Sequence, residues 1–149
     1  PERVYAAGFS TGGMFGYALA CFSNEPIAGV AAVSATQLNL VDCAPSPTNV
    51  FIAHGTADEV LPYYGSSDIA NIDEVVSFWT SLNQTSTFAQ ESSYAFGKET
   101  VYLHTYTEGI NNTQVMHYKV ENGGHGWFDH EIEGQSFTSL LWGFLTSQQ

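Results

Sequence analysis

The stretch Gly8-Phe9-Ser10-Thr11-Gly12-Gly13, directly after the alternating run Arg3-Val4-Tyr5-Ala6-Ala7, constrains this chain more than any other part of it. A Gly-x-Ser-x-Gly signature where a strand turns into a helix requires a sharp reversal, and the corner residue is held there in strained backbone dihedrals. Gly8, Gly12 and Gly13 leave the room that lets the two segments approach. Such a corner lifts the Ser10 hydroxyl clear of the sheet. The helix beginning at Thr11 then aims N–H groups and the positive end of its dipole at any anion that forms beside Ser10. Ser10 reads as a nucleophile.

The remaining elements follow from periodicity. Met14, Tyr17, Ala18 and Cys21 share one face of a helix over Thr11 to Phe22, and Asn24-Glu25-Pro26 ends it, because the residue before a proline leaves the helical region. Ile27 to Val33 is a short apolar run that suits a strand buried on both faces, with a helix as the competing reading. Gln37 to Thr48 is a loop. Asn49 to His54 is the clearest buried strand and empties into Gly55-Thr56-Ala57-Asp58, the end of a strand where ligands gather in open α/β sheets. Asn71-Ile72-Asp73-Glu74 has the form of a capping box ahead of Val75, Val76, Trp79 and Leu82 at helical spacing. Thr100 to Thr107 and Gln114 to Val120 alternate with period two, as in an antiparallel hairpin. A glycine-rich loop, Asn122 to Phe128, leads to a terminal amphipathic helix carrying Phe137, Leu140, Leu141, Trp142 and Leu145.

With three Lys and Arg against fifteen Asp and Glu, a formal net charge of -12, the chain repels phosphate backbones and anionic membrane surfaces, so neither nucleic acid nor membrane is expected as a partner. Two cysteines, Cys21 and Cys43, are enough for one bridge. Asn83-Gln84-Thr85 and Asn111-Asn112-Thr113 match the acceptor pattern for N-glycosylation, and together these features lean toward a secreted protein.

A serine hydroxyl needs a base within reach and a third group to orient that base. Of five histidines, His54 ends an apolar strand, His104 and His117 lie within alternating strands, and His130 beside Glu131 reads as surface. His125 sits in the glycine-rich loop, free to reach across to Ser10. Asp58 is the orienting acid, with Asp42 as runner-up. The resulting order Ser10, Asp58, His125 is the chain order of α/β-hydrolases. No His-x-x-x-His helix or Cys/His cluster has metal-ligand spacing, and no cofactor is expected.

Taken together, Gly8 to Met14, Leu19-Ala20-Cys21, Cys43-Ala44-Pro45, His54 to Asp58, Pro62-Tyr63-Tyr64-Gly65 and Gly123 to Trp127 resemble the polyhydroxybutyrate depolymerase and feruloyl esterase-like family of secreted α/β-hydrolases, along the whole chain. The resemblance implies carboxylic-ester hydrolysis through an acyl-enzyme, with Ser10 as nucleophile, His125 as base then acid, Asp58 as orienter and the Thr11 N–H as one oxyanion donor. It implies a Cys21–Cys43 bridge as well. Substrates of this kind are feruloyl or acetyl esters of polysaccharides and hydroxyalkanoate polyesters. Tyr63, Tyr64, Trp127 and Phe128 lie beside the acid and base in sequence, and either form an aromatic rim for such a substrate or pack on one another.

The family pattern is departed from at Phe128, where a proline often stands, and at Asn83, where a further cysteine often follows the helix. The family also places several strands and a second oxyanion donor ahead of the nucleophile strand. Residues 1–149 are therefore expected to be the C-terminal half of one α/β-hydrolase domain, a mostly parallel sheet with flanking helices, partnered by its N-terminal half in the same or a separate chain. The rival reading is a non-catalytic structural or binding subunit that keeps the hydrolase shape.

Overall fold

The computed structural model describes residues 3–38 and 40–147. Four strands run parallel in the order β1 (Tyr5–Phe9), β2 (Gly29–Val33), β3 (Asn49–Gly55) and β6 (Val115–Glu121), and β5 (Glu99–Tyr106) and β4 (Gln90–Phe96) extend the same sheet antiparallel beyond β6. Three helices, α1 (Thr11–Phe22), α2 (Ile72–Asn83) and α3 (Phe137–Thr146), cover it, and a two-residue pairing of β7 (Glu131–Ile132) with β8 (Gln135–Ser136) leads into α3. None of these helices is long and apolar enough to cross a membrane.

β2 and β3 are buried at every position, as continuous apolar runs are when helices cover both faces of a parallel sheet. Alternation divides their side chains between two cores. Ala31, Val33, Phe51 and Ala53 face α3 together with Tyr118, Phe137, Leu141, Phe144 and Leu145. Val30, Ala32, Val50 and Ile52 face the other way, toward Tyr17 of α1 and Ile72, Val75, Val76 and Trp79 of α2. Ile27 to Val33 is thus a strand at its C-terminal end and not a helix.

α1 meets the sheet along a different stripe from the one its apolar spacing predicts. Gly13, Gly16 and Tyr17 are its buried residues, whereas Met14, Ala18 and Cys21 are only partly covered. The reason is backbone approach: a Cβ on Gly13 would lie 2.6 Å from the Ala35 Cβ, so only a glycine lets the helix settle this close to β2. The bridge between Cys21 and Cys43 is formed across 22 residues and ties the end of α1 to the loop after β2. A loop of that size constrains the unfolded chain by about 3 kcal/mol in the chain-entropy model.

α2 is capped by the predicted Asn71, whose side chain accepts from the Asp73 N–H at 2.8 Å, but the return bond from the Glu74 side chain that a capping box requires is not formed among the described residues. At its other end the sequon is not a surface feature. Asn83 has no exposure, its Oδ1 accepts from Thr48 N at 2.9 Å, and its Nδ2 donates to Thr48 O at 2.6 Å. The amide clamps the loop ahead of β3, so the folded chain has no room for a glycan there; Asn111, by contrast, is exposed. Asn83→Ala leaves a buried N–H and C=O of Thr48 unpaired and is expected to cost about 2–4 kcal/mol, read as a lowered urea midpoint with an unchanged m-value.

The predicted hairpin of β5 and β6 is present, and β4, which no periodicity announced, adds a third strand to it. β4 is almost wholly exposed, so it carries no apolar alternation to read. At the opposite edge of the sheet, β1 pairs with β2 alone among the described residues. Phe9 of β1, Phe15 and Phe22 of α1 and Trp142 of α3 are exposed, and Trp142 meets Tyr5 of β1 edge to face.

Candidate active site

Ser10 stands between β1 and α1 with φ 54 and ψ -118, a backbone conformation that few side chains other than glycine adopt. Its N–H donates to Val33 O at 2.8 Å, and its carbonyl accepts from Gly13 N and Met14 N, so the corner is held from both sides. A Cβ on Gly8 would run into the Gly12 carbonyl, which is why the signature needs glycine there. Although Ser10 occupies the N-cap position of α1, its hydroxyl makes no capping bond. Thr11 is the first residue of the helix, where backbone N–H groups lack an intrahelical acceptor.

Asp58 lies just past β3, with its side chain fully buried. Its Oδ1 accepts from Val60 N at 2.9 Å and Leu61 N at 2.8 Å, which turns the following loop back on the carboxylate. Its Oδ2 accepts from His125 Nδ1 at 2.8 Å. That bond places the imidazole proton on Nδ1 and leaves the Nε2 lone pair available to take a proton. His125 packs its ring 5.0 Å from Phe9, the residue before Ser10. The structure thus joins Asp58 to His125 directly and brings His125 to the Ser10 corner, without a hydrogen bond between His125 and the Ser10 hydroxyl. Apo sites of this type are often loose at that contact and tighten with substrate. Asp42, the runner-up acid, is exposed and contacts no histidine among the described residues.

A part of the chain matches a characterised enzyme. Over 63 residues it is 43% identical to a bifunctional acetylxylan esterase/xylanase of Neocallimastix patriciarum, a match that covers 42% of this chain and 9% of that protein. The similarity supports an esterase-like relationship. No family model matches the chain.

Two residues that sequence reasoning passed over support the Asp58–His125 pair and its loop. Ser34, at φ 51 just after β2, is fully buried and grips the histidine loop: its Oγ donates to Gly126 O at 2.8 Å and accepts from Gly126 N at 3.2 Å. The only sequence signal was a serine directly after an apolar strand. His54, read as the polar end of β3, lies under Asp58, with Nε2 donating to Leu61 O at 2.7 Å and standing 3.3 Å from Asp58 Oδ2. Burial lowers its pKa, opposed by the Leu61 carbonyl and the Asp58 charge.

The aromatic residues divide. Of the expected aromatic rim, Tyr64 is 60% exposed and Trp127 43% exposed, and Trp127 Nε1 donates to Thr138 Oγ1. Tyr63 does not belong to that rim. It is 1% exposed, its hydroxyl donates to Asp73 Oδ1 at 2.6 Å and accepts from His117 Nε2 at 3.0 Å, and its ring packs beneath Tyr64. Its position follows the loop from Asp58 back into the sheet, which turns the first tyrosine of the pair inward. Burial lowers the pKa of His117 to about 3, so it is neutral in this network. Phe128 is core, stacked on Tyr118. His130 is also buried and not a surface residue: Tyr118 OH donates to its Nδ1, and its Nε2 donates to Glu99 Oε1 at 2.8 Å.

Proposed function

We propose that this chain is the C-terminal half of an α/β-hydrolase domain and supplies the nucleophile, base and orienting acid of a secreted serine carboxylic-ester hydrolase. The observation that carries the reading is the 2.8 Å bond from His125 Nδ1 to a buried Asp58, at the side of a serine held at positive φ on a helix N-terminus. In this reading Ser10 Oγ attacks the ester carbonyl carbon as His125 Nε2 takes its proton. The developing oxyanion is met by the Thr11 N–H. The tetrahedral intermediate collapses to an acyl-enzyme as His125 returns the proton to the leaving alcohol oxygen, and a water activated by the same Nε2 releases the acid.

Acetyl esters on a xylan-type polysaccharide are the favoured substrates within a class that includes feruloyl esters and hydroxyalkanoate polyesters, because the characterised relative is named for acetylxylan. Tyr64 and Trp127 offer apolar faces for sugar rings or an aryl acid beside the histidine loop. The bridged cysteines and the exposed Asn111 sequon suit export.

The partner is the N-terminal half of the same domain, paired in the β direction with β1. Among the described residues β1 has a neighbour on one side only, and it carries the exposed Phe9, while the exposed Trp142 of α3 packs against Tyr5 of β1 and α1 exposes Phe15 and Phe22. A strand laid there would cover that apolar surface and bring the loop that supplies the second oxyanion N–H. Losing one such donor costs about 10²–10³ in rate. Residues 1–149 alone are therefore expected to hydrolyse p-nitrophenyl acetate at least about a hundredfold more slowly than the same residues joined to the upstream strands. Equal rates would remove the need for a partner. Failure of a fluorophosphonate to label Ser10 in the joined protein would favour the non-catalytic subunit instead.

A further inference from the structure

The esterase-like site uses one histidine as a base, yet a second histidine sits against the same carboxylate. His54 is fully buried at the end of β3, four residues ahead of Asp58, with Nε2 3.3 Å from the Oδ2 that receives His125. Its hydrogen bond goes to Leu61 O at 2.7 Å, and the N–H of that same Leu61 donates to Asp58 Oδ1 at 2.8 Å. One imidazole therefore holds the peptide that holds the carboxylate, and presents its N–H edge to the other oxygen. We propose that His54 is a positioning residue which, through the Leu61 peptide and its own Nε2–H, keeps the Asp58 carboxylate aimed at His125 Nδ1.

The geometry requires His54 to stay neutral. A protonated His54 would pair with Asp58 and weaken the carboxylate's attraction for the imidazolium that forms on His125 during reaction. The groups facing His54 are Asp58 on the following loop, His125 on the glycine-rich loop, Tyr63, whose ring lies 5.9 Å away at a steep angle, and His117 of β6 behind it. The Leu61 carbonyl, Asp58 and the Ala35 backbone favour the charged form, while burial above all, and the charge that forms on His125, oppose it. Nδ1 of His54 is buried and makes no hydrogen bond among the described residues, so the tautomer is assigned from the Nε2–H bond to Leu61 O.

This role rests on the esterase reading only for its consequence, so the test reads the Asp58–His125 pair directly as well as activity. Imidazole ¹⁵N and downfield ¹H NMR on the joined protein is expected to show His54 as an Nε2–H tautomer whose titration is displaced below the ordinary imidazole range, and a slowly exchanging His125 Nδ1–H. In His54→Leu, which removes the donor, that Nδ1–H signal is expected to broaden away and fluorophosphonate labelling of Ser10 to slow about tenfold or more, since small misplacement of a catalytic group is costly. In His54→Gln, whose amide nitrogen can reach Leu61 O, signal and labelling are expected to return to within about threefold of the parent. An unchanged His125 signal in His54→Leu would overturn the proposal. So would a parent His54 that titrates together with His125, a measurement that needs no variant to fold. Equal loss of signal in both variants, with equal loss of thermal stability, would reduce His54 to a core residue and overturn it too. A parent protein that refuses the probe while His54→Leu still loses the His125 signal would sink the esterase reading and uphold the positioning role.

Discussion

Replacing Ser10 with Ala is expected to lower ester hydrolysis by the joined protein by on the order of 10⁵–10⁶, while the thermal midpoint stays close to the parent's. The size follows from the arrangement around the corner. In the proposed mechanism His125 and Asp58 act on a substrate only through the proton of the Ser10 hydroxyl, so removing that oxygen idles the whole set at once. Stability should hold because the hydroxyl neither caps α1 nor bonds within the sheet, whereas the corner is held by backbone bonds from Ser10 N to Val33 O and from Gly13 N and Met14 N to Ser10 O. Alanine keeps each of these. A kcat within about tenfold of the parent would show that the nucleophile is another group.

Asp58→Asn is the second large effect, about 10⁴ in kcat, and the structure says why a nearly isosteric change does so much. The Asp58 Oδ1 site is surrounded by two donors, Val60 N and Leu61 N, so the one oxygen of an asparagine will turn there. The amide nitrogen then faces His125 and offers a proton where Nδ1 now donates one. His125 answers by moving its own proton to Nε2, the nitrogen that must take the proton from Ser10. The same amide nitrogen meets His54 Nε2–H, donor against donor, at a site where only a carboxylate oxygen is at ease. Steady-state kinetics paired with imidazole ¹⁵N NMR checks both halves: a loss of rate with His125 still protonated at Nδ1 would overturn the tautomer argument, and an unimpaired rate would remove Asp58 from the reaction.

These two predictions draw on residues visible in the sequence, because strand–turn–helix chemistry is local. Gly8 to Gly13 encode a tight corner through side-chain size alone, and the order of Ser10, Asp58 and His125 along the chain needs no coordinates to read. Ile27 to Val33 and Asn49 to His54 announce buried parallel strands by being apolar at every position, and Asn71 announces a helix start by the shape of its side chain. Cys21 and Cys43 supply the thiols, and the resemblance pairs them as the structure does.

What stayed hidden depends on which residues meet across the fold. Periodicity reports that a side chain lies on one face of an element, not what lies opposite. Tyr63 and Tyr64 have the same chemistry and adjacent places, yet one donates to Asp73 under the sheet's cover and the other meets water. His130 looked like surface beside Glu131 until Tyr118 and Glu99 enclosed it. Asn83 matched a glycan acceptor by sequence, while its position beside Thr48, distant along the chain, turned its amide inward. Ser34 and His54 serve Gly126 and Leu61 through contacts that exist only once β2, β3 and the histidine loop stand side by side. The sequence carries Ser10, Asp58 and His125 in that order. Parallel pairing of β1, β2 and β3 brings their C-terminal ends to one edge of the sheet, and that closure is what sets His125 on Asp58 and beside Ser10.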